Sequence, residues 1–280
     1  MNAANGLASV LFVPGSRPER TPKALACGAD AVCIDLEDSV PALEKAQART
    51  AALTQIRRAI GSGERRLALR INGIATRAGL EDLLALADAE ALPALLFVPM
   101  VESAAQIGIV AAVLGARTPG IVPLIETVKG LRAAHDIASA PGVVAMMFGG
   151  GDFAAELGVE LAWEPLLAAR GAFILAAAAA GIAAIDVPFI ALDDAEGLLA
   201  ETRAAKRLGF SAKAAIHPAQ VDVINSALRP TAEEIAEAEE AAKVFAAAGG
   251  AAVRFKDRML EAPIMRRYQR ILAMRRKNDA

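Results

Sequence analysis

The stretch AVCIDLED (residues 31–38) begins as a buried β-strand and ends in three acids. Its apolar residues suit the interior of a sheet. Asp35, Glu37 and Asp38 do not, because an unpaired buried carboxylate costs several kcal/mol or shifts its pKa. A strand that ends in acids predicts a polar site at its carboxyl end.

Seven further apolar runs alternate with segments of helical character. The eight predicted strands cover residues 10–15, 31–38, 66–72, 94–101, 121–127, 143–152, 183–189 and 211–218. Near-continuous apolar runs separated by helices indicate parallel strands that are buried on both faces. Eight such units predict an α/β fold of the (β/α)8 TIM-barrel type. The alternative, a doubly wound open sheet, needs a glycine-rich fingerprint after an early strand, and FVPGSRPE does not provide one.

The chain continues after the eighth unit. We expect a catalytic barrel domain over residues 1–228 and a C-terminal helical extension over residues 229–280, serving as a lid or an oligomer arm. Thr231 and Glu234 have the spacing of a capping box, which predicts the start of a helix. A strand-like turn and a basic helix should follow it.

Composition excludes several classes of protein. With 55% hydrophobic residues among 280, the chain is not intrinsically disordered. Its 30 basic and 32 acidic residues give no argument for a nucleic-acid or membrane partner. The apolar stretch 172–185 is too short to span a membrane. The N-terminus lacks the pattern of a signal peptide, so we expect a soluble, cytoplasmic protein.

Polar residues at the predicted strand ends should meet, because the active site of such a barrel lies at the carboxyl ends of its strands. Arg70 and Asn72 end the third strand, two residues apart and therefore on one side of it. Glu126 ends the fifth strand and Asp152 the sixth. The acids of the second strand join them, which accounts for their position.

A cluster of acids needs a counter-charge. Arg70 supplies one positive charge, and a divalent cation would supply two more. Oxygen ligands without a His or Cys group favour Mg2+, with Mn2+ as an alternative. We predict Glu126 and Asp152 as the metal ligands, with Glu37 and Asp38 binding metal waters or orienting Arg70.

Structural interpretations of the same residues stay open. An acid at a strand end is often a helix cap, and the GGGD sequence that ends at Asp152 also fits a tight turn. Arg70 fits one half of a salt bridge inside the barrel.

Six motifs in order resemble the citrate lyase beta-subunit-like proteins, which belong with the malyl-CoA and citramalyl-CoA lyases among the metal-dependent C–C aldolases. The motifs are LFVPGSRPERTPKAL, AVCIDLEDSV, LRIN, VPLIET, MMFGGGDFAAELG and KAAIHPAQV. The resemblance implies a (β/α)8 barrel, a homotrimer or hexamer, and bound Mg2+. It also implies that Glu126 and Asp152 hold the metal and that Arg70 contacts substrate oxygens.

Members of that family commonly act on coenzyme A thioesters. The resemblance implies that Arg17, Arg20 and Lys23, after the first strand, hold the coenzyme A phosphates, although solvation of a helix is an equal alternative. It also implies a catalytic carboxylate in the C-terminal segment, inserted into a neighbouring subunit's site. Here Glu261, in KDRMLEAP, stands where the family has aspartate. Glutamate is one methylene longer than aspartate, and a displacement of a catalytic group by ~1 Å can cost ~100-fold in rate. This difference argues against efficient lyase activity.

The resulting expectation is an enzyme, a Mg2+-dependent carbon–carbon lyase. It would cleave a 3-hydroxyacyl-CoA, such as citryl-, malyl- or citramalyl-CoA, into an acyl-CoA and a 2-keto acid. In the reverse direction it would form the ester by condensation of those two compounds. Arg70, Glu37 and Glu261 are the predicted catalytic residues, and Arg70, Glu126 and Asn72 the predicted substrate-binding residues. Alternatives are an acyl-CoA thioesterase using the same site, and a citrate lyase complex subunit that works on an acyl carrier protein.

Overall fold

The computed structural model describes residue 4 and residues 6–278, with side chains as far as residue 274. The chain divides into two compact units, Met1–Asn225 and Ser226–Ala280. That residues 1–228 form the catalytic domain stays a prediction. So does the role of residues 229–280 as a lid or an oligomer arm.

Eight parallel strands close the first unit into a barrel, which confirms the predicted fold class. They are β1 (Ser9–Pro14), β2 (Ala31–Asp35), β3 (Leu67–Arg70), β4 (Leu95–Val98), β5 (Gly120–Ile125), β6 (Ala145–Phe148), β7 (Ala183–Asp186) and β8 (Ala212–Ala215). Each strand pairs with the next along the chain, and β8 pairs with β1 through Val10 and Ala214. In the pairing of β1 with β2, Pro14 lies beside Asp35.

Helices separate the strands. They are α1 (Thr21–Ala26), α2 (Lys45–Gly61), α3 (Arg77–Ala87), α4 (Ala104–Leu114), α5 (Val128–Arg132), α6 (Ala134–Ala138), α7 (Gly150–Leu157), α8 (Trp163–Ala180), α9 (Ala195–Leu208), α10 (Ala219–Leu228), α11 (Ala232–Ala247) and α12 (Ala262–Asn278). Short 3-10 turns cover Pro18–Arg20, Ala42–Glu44 and Gly115–Arg117.

Apolar side chains fill the barrel interior. Val10, Cys33, Phe97, Val122 and Met147 belong to one buried cluster that draws on successive strands. Burial of apolar area at roughly 25 cal/mol per Å² makes this cluster a major source of stability. A filled interior leaves only the end of the barrel open to a ligand, which is where the polar residues lie.

The strands end earlier than the sequence predicts. The sixth was expected to run to residue 152, but β6 ends at Phe148 and Asp152 lies in the first turn of α7. Likewise β3 ends at Arg70, so Asn72 lies beyond the strand and the two-residue alternation does not reach it. The glycines and the acid after Phe148 favour a turn and so indicate that β6 has ended, whereas the buried Ile71 after Arg70 gives no such signal for β3.

Helix α8 (Trp163–Ala180) is, by length and composition alone, apolar enough to cross a membrane. It contacts β6 and β7 of the barrel. Arg170 and Phe173, on the buried side of the helix, are almost completely covered. We therefore interpret α8 as one of the helices that surround the barrel.

The second unit has its own small core. Thr231 and Glu234 form the predicted capping box at the start of α11. An antiparallel hairpin of β9 (Val253–Phe255) and β10 (Arg258–Leu260) precedes α12. Phe255 packs edge-on against Tyr268 of α12, with ring centroids 6.2 Å apart.

Candidate active site

A cavity of about 440 Å3 opens at the carboxyl ends of the barrel strands. Four acids and one arginine line it, together with apolar residues that form much of its wall. The charged residues are Asp35, Asp38, Arg70, Glu126 and Asp152. Of the predicted site residues, Arg70, Glu126 and Asp152 line the cavity. Together with Asp35 and Asp38 they come from the ends of four strands or the segments that follow them, namely β2, β3, β5 and β6.

Arg70 is held in place by Asp35 on the neighbouring strand. Arg70 Nε donates to Asp35 Oδ1 at 2.7 Å, and Nη2 donates to Oδ2 at 2.8 Å. The face of the guanidinium lies 5.3 Å from the centre of the Phe12 ring. Such a bidentate pair fixes the plane of the guanidinium as well as its charge. Asp35 therefore has a structural role, because it orients the arginine.

The charges of this pair support each other. Burial raises the pKa of Asp35, but the hydrogen bonds and charge of Arg70 outweigh that effect, and the pKa lies below its usual value. Burial lowers the pKa of Arg70, but the hydrogen bonds and charge of Asp35 more than compensate. Both groups remain charged at neutral pH.

Glu37 contacts the same arginine from the loop after β2. Its Oε2 lies 2.7 Å from Arg70 Nη1, and this buried oxygen accepts no hydrogen bond from the described residues. Burial, partly offset by Arg70, raises the pKa of Glu37 to about 8, with Glu126, Asp38 and Asp35 contributing repulsion. Glu37 is absent from the described lining of the cavity. Its contact supports the predicted part in orienting Arg70, and a direct catalytic role stays a prediction.

Glu126 is aimed by a backbone contact that the sequence did not reveal. Met100 N–H donates to Glu126 Oε2 at 2.7 Å, and Met100 adopts a left-handed backbone with φ 53°. A methionine rarely takes this conformation, so the surroundings must hold it there. A Cβ on Gly149 would lie only 2.0 Å from Glu126 Cγ, so glycine is required beside this carboxylate. The position of the Glu126 carboxylate thus depends on the three loops that follow β4, β5 and β6, and no single sequence motif predicts it.

Glu126 and Asp152 share one electrostatic environment. Burial raises the pKa of Glu126 to about 7, the Met100 N–H and Arg70 lower it, and Asp152 and Asp38 raise it. Burial raises the pKa of Asp152 as well, with repulsion from Asp38. Thr127, next to Glu126, caps α5 by accepting a hydrogen bond from Gly130 N–H at 2.9 Å. The cap therefore belongs to Thr127 and leaves Glu126 available.

The donor set fits a small hard cation. Two carboxylates with raised pKa values lie in one cavity, and a bound divalent ion would remove their repulsion. Among the residues that the structure describes, there is no group of three or more His, Cys, Asp or Glu side chains that could hold a metal ion. A pair of carboxylates is the set that Mg2+ commonly uses, because this ion keeps water or substrate oxygens in its other positions.

Asn72 contacts the outer layer of the barrel. Its backbone N–H and its Nδ2 both donate to Asp82 Oδ2, at 2.9 and 2.6 Å, and Asp82 also accepts from Arg49 Nε at 2.6 Å. Asn72 does not line the cavity in the part of the chain that the structure describes. Its predicted substrate contact stays a prediction, and the geometry gives it an anchoring role for the loop after β3.

The predicted coenzyme A cations lie on the surface after β1. Arg17 precedes the 3-10 turn Pro18–Arg20, Arg20 ends it, and Lys23 follows in α1. All three residues are exposed. This position is open to a phosphate group, and the contact itself stays a prediction.

Glu261 lies in the second unit, between β10 and α12. The residue is exposed, and its backbone carbonyl accepts a hydrogen bond from Met265 N–H at 2.9 Å. This bond places Glu261 at the beginning of α12. Its carboxylate makes no hydrogen bond or ion pair with the part of the chain that the structure describes, and its catalytic role stays a prediction.

Two protein-family models match this chain. The family model described as HpcH/HpaI aldolase/citrate lyase matches residues 8–218. A second model, described as a C–C bond lyase of the TIM-barrel fold, matches residues 172–277.

Among characterised relatives, a (3S)-malyl-CoA thioesterase of Cereibacter sphaeroides is 36% identical over 83% of this chain and 80% of its own. The human protein named citramalyl-CoA lyase, mitochondrial, is 30% identical over 95% of this chain and 84% of its own. The solved structure of CitE from Mycobacterium tuberculosis, in complex with magnesium, acetoacetate and coenzyme A, is 33% identical. It superposes with a TM-score of 0.80 over 97% of this chain and 98% of CitE.

Proposed function

This chain belongs to the HpcH/HpaI aldolase/citrate lyase family, and we propose that it is a Mg2+-dependent lyase that cleaves or forms a carbon–carbon bond of a 3-hydroxyacyl-CoA. The observation that carries the proposal is the placement of Glu126, Asp152 and Arg70 around one cavity at the carboxyl ends of the strands. Relatives that act on malyl-CoA and citramalyl-CoA, and a CitE structure that holds magnesium with coenzyme A, support it.

Glu126 and Asp152 would hold the cation. Their hard oxygen donors, raised pKa values and shared cavity suit Mg2+, and Mn2+ would fit the same donors. When bound, the ion supplies positive charge that polarises the oxygens of the keto-acid half of the substrate.

Arg70 stabilises the negative charge of that same half. Asp35 fixes the guanidinium plane beforehand, so no reorganisation is needed when charge develops on the substrate. Glu37 contributes through its contact with Arg70 Nη1.

In the cleavage direction the substrate hydroxyl gives its proton to solvent water and becomes the carbonyl of a 2-keto acid. The bond between the hydroxyl-bearing carbon and the carbon next to the thioester breaks, and its electron pair goes to a thioester enolate. Protonation of the carbon next to the thioester then gives the acyl-CoA. We assign this proton transfer to Glu261, acting as general acid in cleavage and as general base in condensation.

Binding of coenzyme A and assembly into an oligomer belong to the same proposal. Arg17, Arg20 and Lys23 would bind the phosphates of coenzyme A, which is part of the substrate. The enzyme would be a cytoplasmic homotrimer or hexamer in which Glu261 reaches a neighbouring subunit's site.

Incubation of the protein with Mg2+ and citryl-, malyl- or citramalyl-CoA tests the reaction type. A lyase gives acetyl-CoA with oxaloacetate, glyoxylate or pyruvate, which mass spectrometry identifies. The thioesterase relative motivates a second candidate, hydrolysis at the same site. Free coenzyme A with the intact hydroxy acid would support that candidate and contradict the lyase as the final activity.

A further inference from the structure

The motif KAAIHPAQV (residues 213–221) has no part in the chemistry described above, yet two of its polar side chains are buried. Lys213 is 0% exposed and Gln220 is 3% exposed. Buried polar side chains cost free energy unless they are fully hydrogen-bonded. Their partners show what this motif holds in place.

Lys213 is fully satisfied by three acceptors. Its Nζ donates to Val187 O at 2.8 Å, to Asp186 Oδ2 at 2.6 Å and to Glu201 Oε1 at 2.7 Å. An ammonium group has three donors, so none is left over. Asp186 Oδ1 in turn accepts from Arg170 Nε at 3.1 Å, which balances two cations with two acids.

Gln220 links two loops at the mouth of the cavity. Its Nε2 donates to Phe189 O at 2.7 Å. Its Oε1 accepts from Ile216 N–H at 2.9 Å and from His217 N–H at 3.2 Å. One amide therefore ties the loop after β7 to the loop after β8.

These two side chains anchor what we call the wall loop, residues 187–190. Lys213 binds the carbonyl of Val187 and Gln220 that of Phe189, on either side of Pro188. Val187, Pro188 and Ile190 line the cavity, as does Ile216 across the Gln220 bridge. Val187 Cγ1 also lies 3.2 Å from where a Cβ on Gly150 would be, so the wall loop packs on the turn that carries Asp152.

The wall loop presents apolar side chains to the mouth. Ile190 is 61% exposed and Ile216 is 45% exposed. A ligand with alkyl groups would cover this surface, because removal of apolar area from water is favourable. The charged side of the same cavity, around Arg70, suits the carboxylate instead.

We propose that Lys213 and Gln220 are positioning residues, which fix the wall loop as the surface that selects the acyl group of the substrate. This proposal rests on the proposed function, since it names the part of that site that faces the alkyl substituents. Acyl groups that differ by one methyl are separated by only ~10- to 200-fold, so a wall that shifts or softens should lose that discrimination.

Gln220→Met is the most direct test, because methionine has a similar length and makes none of the three hydrogen bonds. The matched control is Asn225→Leu on the same helix, since Asn225 Nδ2 donates to Gly28 O at 3.1 Å and Asn225 does not line the cavity. We expect Gln220→Met to raise KM for the preferred ester about 10-fold while kcat changes little, and to narrow the preference between malyl-CoA and citramalyl-CoA. The control should keep the wild-type KM and preference.

Lys213→Met would leave Glu201 without its cation and Asp186 with Arg170 alone, which risks unfolding, so Ile190→Ala is the second variant. This side chain is exposed, so its loss leaves the core intact. The same change in KM and preference is expected. If both Gln220→Met and Ile190→Ala keep the wild-type KM and preference, the positioning role is wrong, whatever their melting temperatures.

Calorimetric titration with acetyl-CoA separates this proposal from the reaction itself. If wild-type protein cleaves no ester but Gln220→Met weakens acetyl-CoA binding relative to Asn225→Leu, the proposed function fails and the positioning role is supported. If wild-type protein cleaves no ester and Gln220→Met binds acetyl-CoA as tightly as Asn225→Leu does, the proposed function and the positioning role both fail. Where the lyase reaction is observed, KM and preference decide the positioning role.

Discussion

Arg70 and Asp35 form a bidentate ion pair between adjacent strands of the barrel, with N···O distances of 2.7 and 2.8 Å. The pair fixes a buried guanidinium at the mouth of the cavity and leaves its charge available to an anionic substrate.

In the first prediction, Arg70→Lys lowers kcat/KM by about 100-fold or more, because lysine keeps the charge but loses the planar fork. Steady-state kinetics with the preferred ester checks it.

Arg66→Lys is the control, because Arg66 immediately precedes the same strand at its opposite end and pairs with Glu64 at 2.6 Å. Unchanged kcat/KM in Arg70→Lys, or an equal loss in Arg66→Lys, would remove Arg70 from the mechanism.

The second prediction concerns Gly149, whose missing side chain makes room for Glu126. In Gly149→Ala the new methyl would lie 2.0 Å from Glu126 Cγ, so the carboxylate must move. Calorimetry should show a loss of Mg2+ affinity of about 10- to 100-fold, the range found when groups that orient metal ligands are changed. Gly151→Ala is the control, since a Cβ there meets nothing within 4 Å. Equal Mg2+ affinities in the two variants would contradict the assignment of Glu126.

The third prediction is a dependence of stability on pH that Mg2+ removes. In the folded protein the pKa of Glu126 is raised to about 7 and that of Glu37 to about 8, both above the unfolded value near 4.5. Between those limits the folded state binds more protons than the unfolded state, so the free energy of unfolding falls as the pH rises. For Glu126 the loss is roughly 3 kcal/mol, at about 1.4 kcal/mol per pKa unit.

Thermal unfolding at pH 5 and pH 8 measures this effect. Without Mg2+ the melting temperature should be lower at pH 8, and Mg2+ should raise it more at pH 8 than at pH 5. Glu126→Gln should weaken both the pH dependence and the response to Mg2+. An equal response to Mg2+ at both pH values would argue against binding through these carboxylates.

The fourth prediction addresses Glu261. Glu261→Gln should lower turnover by about 100-fold, because proton transfer by a positioned side chain contributes ~100- to 10,000-fold, whereas Glu261→Asp should keep much of the activity. Asp257→Asn, an exposed acid of the β9–β10 turn, is the control. If Glu261 acts in a neighbouring subunit, mixing Glu261→Gln with Arg70→Ala protein should restore activity. Wild-type turnover in Glu261→Gln would exclude it as the acid.

The barrel could be predicted because the sequence encodes it locally. Each buried strand is a short apolar run, and polar turn residues and helices lie between the runs. Strand ends were harder, since the glycines and acids of MMFGGGD read as the end of β6 when they already form the first turn of α7. Hydrogen-bond pairing with neighbouring strands decides where a parallel strand stops, and that pairing is a tertiary property.

The charged residues of the cavity could be predicted because they sit at the ends of strands that must converge. The contacts that aim them could not. The Met100 N–H reaches Glu126 only because Met100 adopts a left-handed backbone. Asn72 has the polarity of a ligand-binding residue, but its carboxamide is bound to Asp82, ten residues along the chain. Residue type indicated which groups gather, and three-dimensional packing decides which of them face the ligand.

The most direct test of the central claim is a crystal structure with pyruvate and Mn2+ in place of Mg2+, located by its anomalous signal. We predict one ion bound by a carboxylate oxygen of Glu126 and one of Asp152, with pyruvate oxygens and water completing the shell and Arg70 beside the pyruvate. An ion bound elsewhere, or the two carboxylates turned apart with none between them, would contradict the claim.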